Sequence, residues 1–261
     1  DNRKRSIFAT KLSEELKEKL YGKIAIVGAG IYGTTAALKL SNIGYLVDLF
    51  EAKDEILSAT SSINQYRVHR GYHYPRSKET IISCRDNEKE FKRYYAEAII
   101  DNVEHYYAIA SEDSSTSARE YLHVLDEYEL EWMMVDPLPG CDLTVRVKES
   151  LFCPKTLKLI CEQRLYGCNV NVLLNQKVEN TDDLNGYNYT IVSTYSSLND
   201  FDNNKLDYQY ELCEKPLFKL PDEYLNKSVV VMDGPFMCFD PYSTTKLHAA
   251  GNVVHAIHNR N

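Results

Sequence analysis

The segment from Lys23 to Ala52 constrains the fold more than any other part of the chain. It reads KIAIVGAGIYGTTAALKLSNIGYLVDLFEA, so a β-branched apolar run meets closely spaced glycines, and a helical pattern leads into a second apolar run. A strand, a glycine turn, a helix and a strand within about 30 residues are typical of a βαβ unit, whose strands lie parallel in one sheet. Gly44 ends the predicted helix. The segment therefore predicts an α/β fold with a Rossmann-like parallel sheet.

The glycines of this segment have the spacing G-x-G-x-x-G, formed by Gly28, Gly30 and Gly33. The first permits a tight turn, the second lets the backbone approach a pyrophosphate, and the third allows close packing of helix on strand. The N-terminus of the helix favours the phosphates electrostatically. Glu51 ends the second strand, where a carboxylate holds ribose hydroxyls and disfavours a 2′-phosphate. The motif predicts binding of an adenine dinucleotide, and the alternative is a glycine-rich turn beside a surface glutamate.

The loop after the second strand favours FAD over NAD as that dinucleotide. A plain nicotinamide fold continues into a helix and a third parallel strand, whereas this chain enters the polar sequence SATSSIN. Ser61, Ser62 and Asn64 offer hydroxyl and amide groups that suit a pyrophosphate or a ribityl chain. A cationic stretch follows, and a cation near the flavin ring stabilises the negative charge of the reduced form.

The cationic stretch, QYRVHRGYHYPRS, contains the candidate catalytic residues Arg67, His69, Arg70 and His73. An extended backbone would place Arg67 and the two histidines on one face and Arg70 on the other, unless Gly71 interrupts the alternation. Histidine is a suitable general base near neutral pH. The histidines are equally compatible with hydrogen-bonded structural roles, and the arginines with surface ion pairs. They lack a third partner at metal-ligand spacing, so we expect no metal site.

Residues Lys23 to Ser77 resemble the FAD-dependent oxidoreductases of the D-amino-acid oxidase type, which include sarcosine and glycine oxidases. The stretch SSINQYRVHR is similar to the S-x-x-G-x-x-R-x-x-R loop of the sarcosine-oxidase-like members, with Asn64 in place of the glycine. The resemblance implies that Arg67 lies near the flavin ring and that Arg70 points toward a substrate carboxylate.

The resemblance extends more loosely to the second half of the chain. NQKVENT resembles the strand whose valine backbone contacts adenine, here Val178, and YNYTIVSTYS resembles the strand that returns to the cofactor at Ser193 and Thr194. Motif and resemblance together predict FAD as cofactor, bound by Gly28, Gly30, Ile31, Tyr32, Gly33, Glu51, Ala52, Ser61, Ser62, Asn64, Gln65, Arg67, Val178, Ser193 and Thr194.

The order of predicted elements indicates two interleaved domains. We expect a Rossmann-like FAD-binding domain over residues 22–82 and 140–200, and a mixed or antiparallel substrate domain over 83–139 and 201–261. Residues 1–21 predict an N-terminal helical extension, and VNVLLNQKVENT predicts two short strands. The family completes its flavin site with a C-terminal glycine-rich segment, which is absent up to Asn261. We therefore expect either a fragment or an incomplete flavin pocket, with the turnover of this chain left open.

Composition and motifs exclude several other classes. The formal net charge of −8 argues against nucleic-acid binding, and no apolar run is long enough to cross a membrane. The odd set of seven cysteines, without C-x-x-C or zinc spacing, indicates reduced thiols and a cytoplasmic location. A G-x-S-x-G turn and the kinase lysine and aspartate motifs are absent.

The leading hypothesis is an FAD-dependent oxidoreductase that oxidises a C–N bond of an amine or amino acid by hydride transfer to the flavin. Arg67 would stabilise the reduced ring, and Arg70 or a histidine would orient the substrate, a small molecule or small anion. One alternative is a non-catalytic dinucleotide-binding module. Another is a flavoenzyme acting on a nucleotide sugar, since an arginine-rich loop suits a diphosphate equally well.

Overall fold

The computed structural model describes Leu16, Glu18 and residues 21–201, 205–252 and 254–260. The predicted helical extension over residues 1–21 lies almost wholly outside these residues. Within the described residues, no helix is both long enough and apolar enough to cross a membrane. All seven cysteines lie within the same residues and are free thiols.

Helices and strands alternate in the first half of the chain, and strands predominate in the second. The described helices are α1 (Ile31–Asn42), α2 (Lys78–Tyr94), α3 (Ala118–Glu127) and α4 (Pro154–Tyr166). The described strands are β1 (Lys23–Val27), β2 (Leu46–Phe50), β3 (Arg67–Val68), β4 (Ile99–Ile100), β5 (Glu104–Ala110), β6 (Trp132–Val135), β7 (Cys141–Val147), β8 (Ser150–Phe152), β9 (Val170–Leu173), β10 (Tyr189–Val192), β11 (Glu211–Cys213), β12 (Leu217–Phe218), β13 (Lys227–Met232), β14 (Met237–Pro241), β15 (His248–Asn252) and β16 (Ile257–Arg260).

The chain forms two compact units, each made of two separate segments. Unit 1 comprises residues 1–64 and 158–208, and unit 2 comprises residues 65–157 and 209–261. The observed boundaries differ from those expected after residues 82, 139 and 200. Residues 65–82 and 140–157 lie in unit 2 instead of the expected FAD-binding domain. The second of these segments lies there because β7 pairs with β5, and β8 pairs with β3 and β4. The sequence LTVRVKESLF, which predicts one strand of the FAD-binding domain, forms these two strands instead.

Unit 1 contains a four-stranded sheet in the order β10-β1-β2-β9, with every pair parallel. This confirms the predicted βαβ unit and parallel sheet. The expected second strand in VNVLLNQKVENT is wrong, because only β9 forms. After β9 the backbone enters a turn in which Asn175 has a φ of +56°, and its N–H donates to the Lys53 carbonyl at 2.9 Å.

Unit 2 contains a seven-stranded mixed sheet in the order β12-β15-β14-β13-β5-β7-β6. Only the β13–β5 pair is parallel among the described pairs of this sheet. Its core is rich in tyrosine, with Tyr72, Tyr107 and Tyr121 fully buried among aliphatic side chains. The Tyr121 hydroxyl donates to the Tyr72 carbonyl at 3.1 Å, so the polar ends of these rings are satisfied inside the core.

The cationic stretch of unit 2 is extended only at β3, which is two residues long. Gly71 has a φ of +113°, and the chain turns there. A single alternating strand from Arg67 to Tyr74 is therefore not formed, and the expected division of the arginines and histidines between two faces does not apply.

His105 occupies the middle of this sheet in an unusual state. It lies in β5 between Ser228 of β13 and Val147 of β7, and its side chain is fully buried. Neither ring nitrogen has a hydrogen-bond partner among the described residues. Burial, reinforced by the charge of Arg67, lowers the pKa of His105 from 6.5 to about 4.

We predict that His105 makes the fold acid-sensitive. Because its pKa is lower in the folded protein, the unfolded chain binds more protons between pH 6.5 and 4, and stability falls as pH drops through that window. His105→Leu should remove up to about 3 kcal/mol of this pH dependence. It should cost little at pH 7, since the ring nitrogens have no partners to lose. Urea unfolding at pH values across the window measures the effect.

The exposed His123 on α3 provides the matched control, and His123→Leu should leave the pH dependence of the unfolding free energy unchanged. An equal pH dependence in the wild-type protein and His105→Leu would contradict the prediction.

Candidate functional site

A cavity of about 430 Å³ opens in unit 1 at the carboxyl ends of β1, β2 and β10. This edge of a parallel sheet is where ligands bind in open α/β folds, and the volume is typical of small-molecule sites. The predicted cofactor residues that line it are Gly28, Gly30, Ile31, Tyr32, Glu51, Ala52, Ser61, Asn64, Val178, Ser193 and Thr194.

The glycine turn forms one wall of the cavity and leaves no room for side chains at two positions. Gly28 has a φ of +97°, and a Cβ there would lie 2.7 Å from the Ser193 carbonyl oxygen. A Cβ on Gly33 would lie 1.9 Å from the Gly28 carbonyl oxygen. Gly33 does not line the cavity; its contact fixes how closely α1 approaches the turn.

Gly30 differs from the other two glycines, because neither its backbone conformation nor a protein atom excludes a side chain there. A side chain at this position would instead occupy the space of the cavity. Its φ is −68°, which any residue adopts, and the nearest neighbour of an added Cβ would be Ser61 Oγ at 3.5 Å. Ser61 Oγ accepts a hydrogen bond from the Ile31 N–H at 3.0 Å, at the N-terminus of α1. Backbone N–H groups, a hydroxyl and an uncovered backbone thus meet at the positive end of a helix, an arrangement that suits a phosphate.

Glu51 is held in the orientation that a ribose-binding carboxylate requires. Its Oε2 accepts from the Ala29 N–H at 2.8 Å and its Oε1 accepts from the Lys53 N–H at 3.0 Å. A carboxylate oxygen can accept two hydrogen bonds, and each Glu51 oxygen accepts one of these backbone bonds. Both oxygens can therefore accept a further hydrogen bond from a sugar hydroxyl. The residues present therefore fit the adenosine diphosphate part of FAD.

About half of the cavity lining was not predicted from the sequence, including the segment that follows Thr194. Tyr195 begins a 3-10 segment that ends at Phe201, and it has a φ of +54°. Tyr195 is 75% exposed although it borders the cavity, so an aromatic face is open to a ligand there. The lining residues that were not predicted are Val27, Phe50, Lys53, Ala59, Thr60, Gln176, Lys177, Glu179, Tyr195, Ser197, Asp200 and Phe201.

The other expected site residues do not line this cavity. Ser62 donates its hydroxyl to the Ala59 carbonyl within its own turn, at 2.8 Å. Gln65 and Arg67 belong to unit 2, as do the remaining catalytic candidates. Their expected contacts with the cofactor stay predictions.

Arg67 is the centre of a buried ion cluster in unit 2. Its Nε donates to Asp240 Oδ1 at 2.9 Å, and its Nη1 donates to Glu149 Oε2 at 2.8 Å and to the Tyr107 hydroxyl at 2.7 Å. Its Nη2 donates to Ser228 Oγ and Asp240 Oδ1. The side chains of the arginine and of both acids are at most 1% exposed.

The cluster uses every donor that the guanidinium has. Arginine carries five N–H groups, and each of them meets a protein acceptor here. A hydrogen bond from Arg67 to a flavin ring would therefore compete with one of these protein acceptors. Burial acts to raise the pKa of Glu149, but the His69 contact and the Arg67 charge outweigh it and hold that pKa well below its usual range.

The remaining catalytic candidates surround the cluster. His69 Nδ1 lies 3.4 Å from Glu149 Oε1, and a quarter of its side chain is exposed. Arg70 donates its backbone N–H to the same oxygen at 3.1 Å, while its side chain lies 3.5 Å from Glu88. Burial, and then the neighbouring His69 and Arg67, lower the pKa of His73 to about 4. The structure thus brings the four catalytic candidates together within unit 2.

The chain is similar to characterised flavoproteins in sequence. The family model of the FAD dependent oxidoreductases (DAO) matches residues 23–154, just over half of the chain. The FAD-dependent monooxygenase FPY4 of Fusarium mangiferae is 25% identical over 243 residues, covering 89% of this chain and 64% of the relative. The FAD-dependent monooxygenase kojA of Aspergillus flavus is 38% identical over 92 residues, covering 35% of this chain and 22% of the relative. The chain thus spans less than two thirds of the length of these curated relatives.

Solved structures show the same fold at low sequence identity. Glycine oxidase from Geobacillus kaustophilus superposes with a TM-score of 0.67 and 12% identity, covering 88% of this chain and 70% of that one. An L-amino acid deaminase from Proteus vulgaris, lacking its specific insertion sequence, gives a TM-score of 0.65 and 13% identity, covering 89% and 68%.

We predict that two glycines of the motif respond differently to the same substitution. Gly33→Ala should destabilise the protein by about 1–3 kcal/mol or more, because its methyl group would overlap the Gly28 carbonyl. Gly30→Ala should leave the unfolding free energy nearly unchanged and weaken FAD binding about tenfold or more, because its methyl group would occupy the ligand's space. Urea unfolding and FAD titration followed by flavin fluorescence measure both effects. Equal stability losses, or unchanged FAD affinity in Gly30→Ala, would argue against this interpretation.

We further predict that unit 2 depends on the Arg67 cluster for its stability. Arg67→Met removes the cation and leaves two buried carboxylates without it, so the unfolding free energy should fall by about 3–5 kcal/mol. Denaturant unfolding followed by tryptophan fluorescence at Trp132 in β6 measures the loss. Arg76→Met is the control, since the Arg76 side chain is 68% exposed in its pair with Asp233 and its loss should have a much smaller effect. Comparable effects of the two substitutions would contradict the prediction.

Proposed function

The chain belongs to the family of FAD-dependent oxidoreductases, and we propose that it oxidises a C–N bond of an amine or amino acid. FAD is the cofactor of this family, and when bound it supplies the acceptor for a hydride from the substrate carbon. The amine proton passes to a protein base, and the resulting imine is hydrolysed by water. The observation that supports the proposal best is the unit 1 cavity, which combines the glycine turn with the oriented Glu51 carboxylate.

In this proposal, residues of unit 1 hold the cofactor. The backbone at Gly28 and Gly30 and the Ser61 hydroxyl would receive the pyrophosphate, since they lie at the N-terminus of α1. Glu51 would accept hydrogen bonds from the ribose hydroxyls. Val178 lines the same cavity and would contact the adenine.

We assign the proton acceptor to His69 rather than to His73. The 3.4 Å contact between His69 Nδ1 and Glu149 orients the ring, which leaves Nε2 available for a proton. The pKa of His73 is lowered to about 4 by burial and by its cationic neighbours, which makes it a weak base. Arg67 would act as a positioning residue, because it fixes the carboxylate that orients His69. Arg70 would attract the substrate carboxylate, since its guanidinium has only two acidic partners among the described residues, and they lie at 3.5 and 3.7 Å.

A second candidate function is oxygen insertion. It is favoured by the two fungal relatives, both of which are named FAD-dependent monooxygenases. The two reactions differ in the fate of dioxygen, because only a monooxygenase places one of its oxygen atoms in the product. A cytoplasmic location and the absence of nucleic-acid and membrane partners remain parts of the proposal.

We predict that purified protein takes up FAD and that an amine or amino acid bleaches its visible absorption without oxygen. Reoxidation under ¹⁸O₂ should leave the organic product free of ¹⁸O. Gly30→Ala serves as the control for cofactor uptake. Flavin binding without bleaching by any amine would instead favour the non-catalytic module, and bleaching only with a nucleotide sugar would favour that alternative. Incorporation of ¹⁸O would favour the monooxygenase.

A further inference from the structure

Three polar side chains of unit 2, those of Lys215, Gln65 and Cys238, converge on Gly251. Gly251 is the fourth of the five residues of β15 and lies directly opposite Cys238 of β14. A Cβ on Gly251 would lie 2.7 Å from Cys238 Sγ, 3.4 Å from Lys215 Nζ and 3.7 Å from Gln65 Nε2. Glycine within a strand often marks a place where a ligand approaches the backbone closely. The three side chains can meet there because this position has no side chain of its own.

The polar atoms of this group retain capacity for a ligand. Gln65 Nε2 donates one hydrogen to Cys238 Sγ at 3.1 Å, and this is the only hydrogen bond of its side chain among the described residues. An amide nitrogen has two hydrogens, so one is left for another acceptor.

Lys215 is an exposed cation for which the described residues supply no acidic partner. Within the described part of the chain, no carboxylate lies at ion-pair distance from its Nζ. The acid beside it, Glu214, is paired with His258 at 2.7 Å. The backbone on either side of Lys215 is held by two hydrogen bonds. The Glu214 N–H donates to the Ala256 carbonyl, and the Ala250 N–H donates to the Pro216 carbonyl. Lys215 therefore extends from an anchored loop toward Gly251.

We propose that Lys215, Gln65 and Cys238 form a binding site for the carboxylate of a small molecule beside Gly251. The ammonium and the free amide hydrogen would each donate to one carboxylate oxygen, and the half-buried thiol would pack against the ligand. A carboxylate fits better than a phosphate, because the site contributes one positive charge and a phosphate dianion would remain half neutralised. The inference goes beyond the proposed function, since it concerns a ligand of unit 2 whether or not FAD is bound.

Alkylation of Cys238 by two reagents of nearly equal shape tests the site. Iodoacetate and iodoacetamide both form a carbon–sulfur bond with release of iodide, and only iodoacetate carries a carboxylate. The ratio of the iodoacetate rate to the iodoacetamide rate, read by peptide mass spectrometry, should be about fivefold higher at Cys238 than at the exposed Cys213. Lys215→Met should lower the ratio at Cys238 to that of Cys213. Lys219→Met removes the same charge from a nearby exposed position and should leave it unchanged.

Competition identifies the anion. Acetate should slow the reaction of Cys238 with iodoacetamide, whereas its neutral analogue acetamide should not. Equal rate ratios at the two cysteines, or equal effects of the two lysine substitutions, would overturn the proposal. Stronger protection by inorganic phosphate than by acetate would overturn the assignment to a carboxylate.

A second measurement does not depend on the reactivity of the thiol. Saturation-transfer NMR should detect acetate, but not acetamide, on the wild-type protein and on Lys219→Met, and the acetate signal should be lost with Lys215→Met. An acetate signal that persists in Lys215→Met would contradict the proposed carboxylate site. Both measurements are made with and without FAD, so a failure of flavin binding leaves their outcome readable.

Discussion

A single guanidinium, that of Arg67, connects five segments of unit 2. Its partners lie on β5, β13 and β14 and in the turn between β7 and β8, while Arg67 itself forms half of β3. A charge buried this deeply is tolerated only where acids and hydrogen-bond acceptors surround it, so the strands must meet in one arrangement to satisfy it. The same cluster involves the tyrosine-rich core, since the Tyr107 hydroxyl accepts from Arg67. It also affects the buried histidines nearby. Burial near a fixed positive charge keeps His73 and His105 unprotonated at neutral pH.

The polar groups of the two units are arranged differently. The unit 1 cavity combines the uncovered backbone of the glycine turn with polar, charged and aromatic side chains. Unit 2 instead satisfies long, charged side chains with one another. The uncovered backbone at the N-terminus of α1 suits a ligand that brings its own phosphates, whereas a network of paired ions leaves few groups uncommitted. Within the described residues, Lys215 without an acidic partner and His69 with a quarter of its side chain exposed are exceptions to this pattern.

Local patterns predicted the parts of the structure that depend on local physics. The βαβ segment, its glycine turn and Glu51 were identified because strand and helix periodicity and glycine conformation act over a few residues. The far wall of the cavity, including Asp200 and Phe201, was missed because it reaches the site only through the pairing of β10 with β1. The environment of Arg67 was equally inaccessible, since its partners lie 40 to 173 positions away along the chain. The resemblance to a known family recovered Val178, Ser193 and Thr194, which no local pattern would have identified.

The interleaving of the two units has a consequence for how the chain is made. The residues of β1 pair with residues of β10 that lie 165 positions later, and all of 65–157, a segment of unit 2, is synthesised in between. At ordinary translation rates, roughly 10 to 30 seconds separate the emergence of β2 from that of β10. Until β9 emerges and pairs with β2, β1 and β2 form at most a parallel pair with both edges open, and such edges recruit other strands. The nascent chain therefore needs protection from aggregation before its nucleotide-binding fold can close.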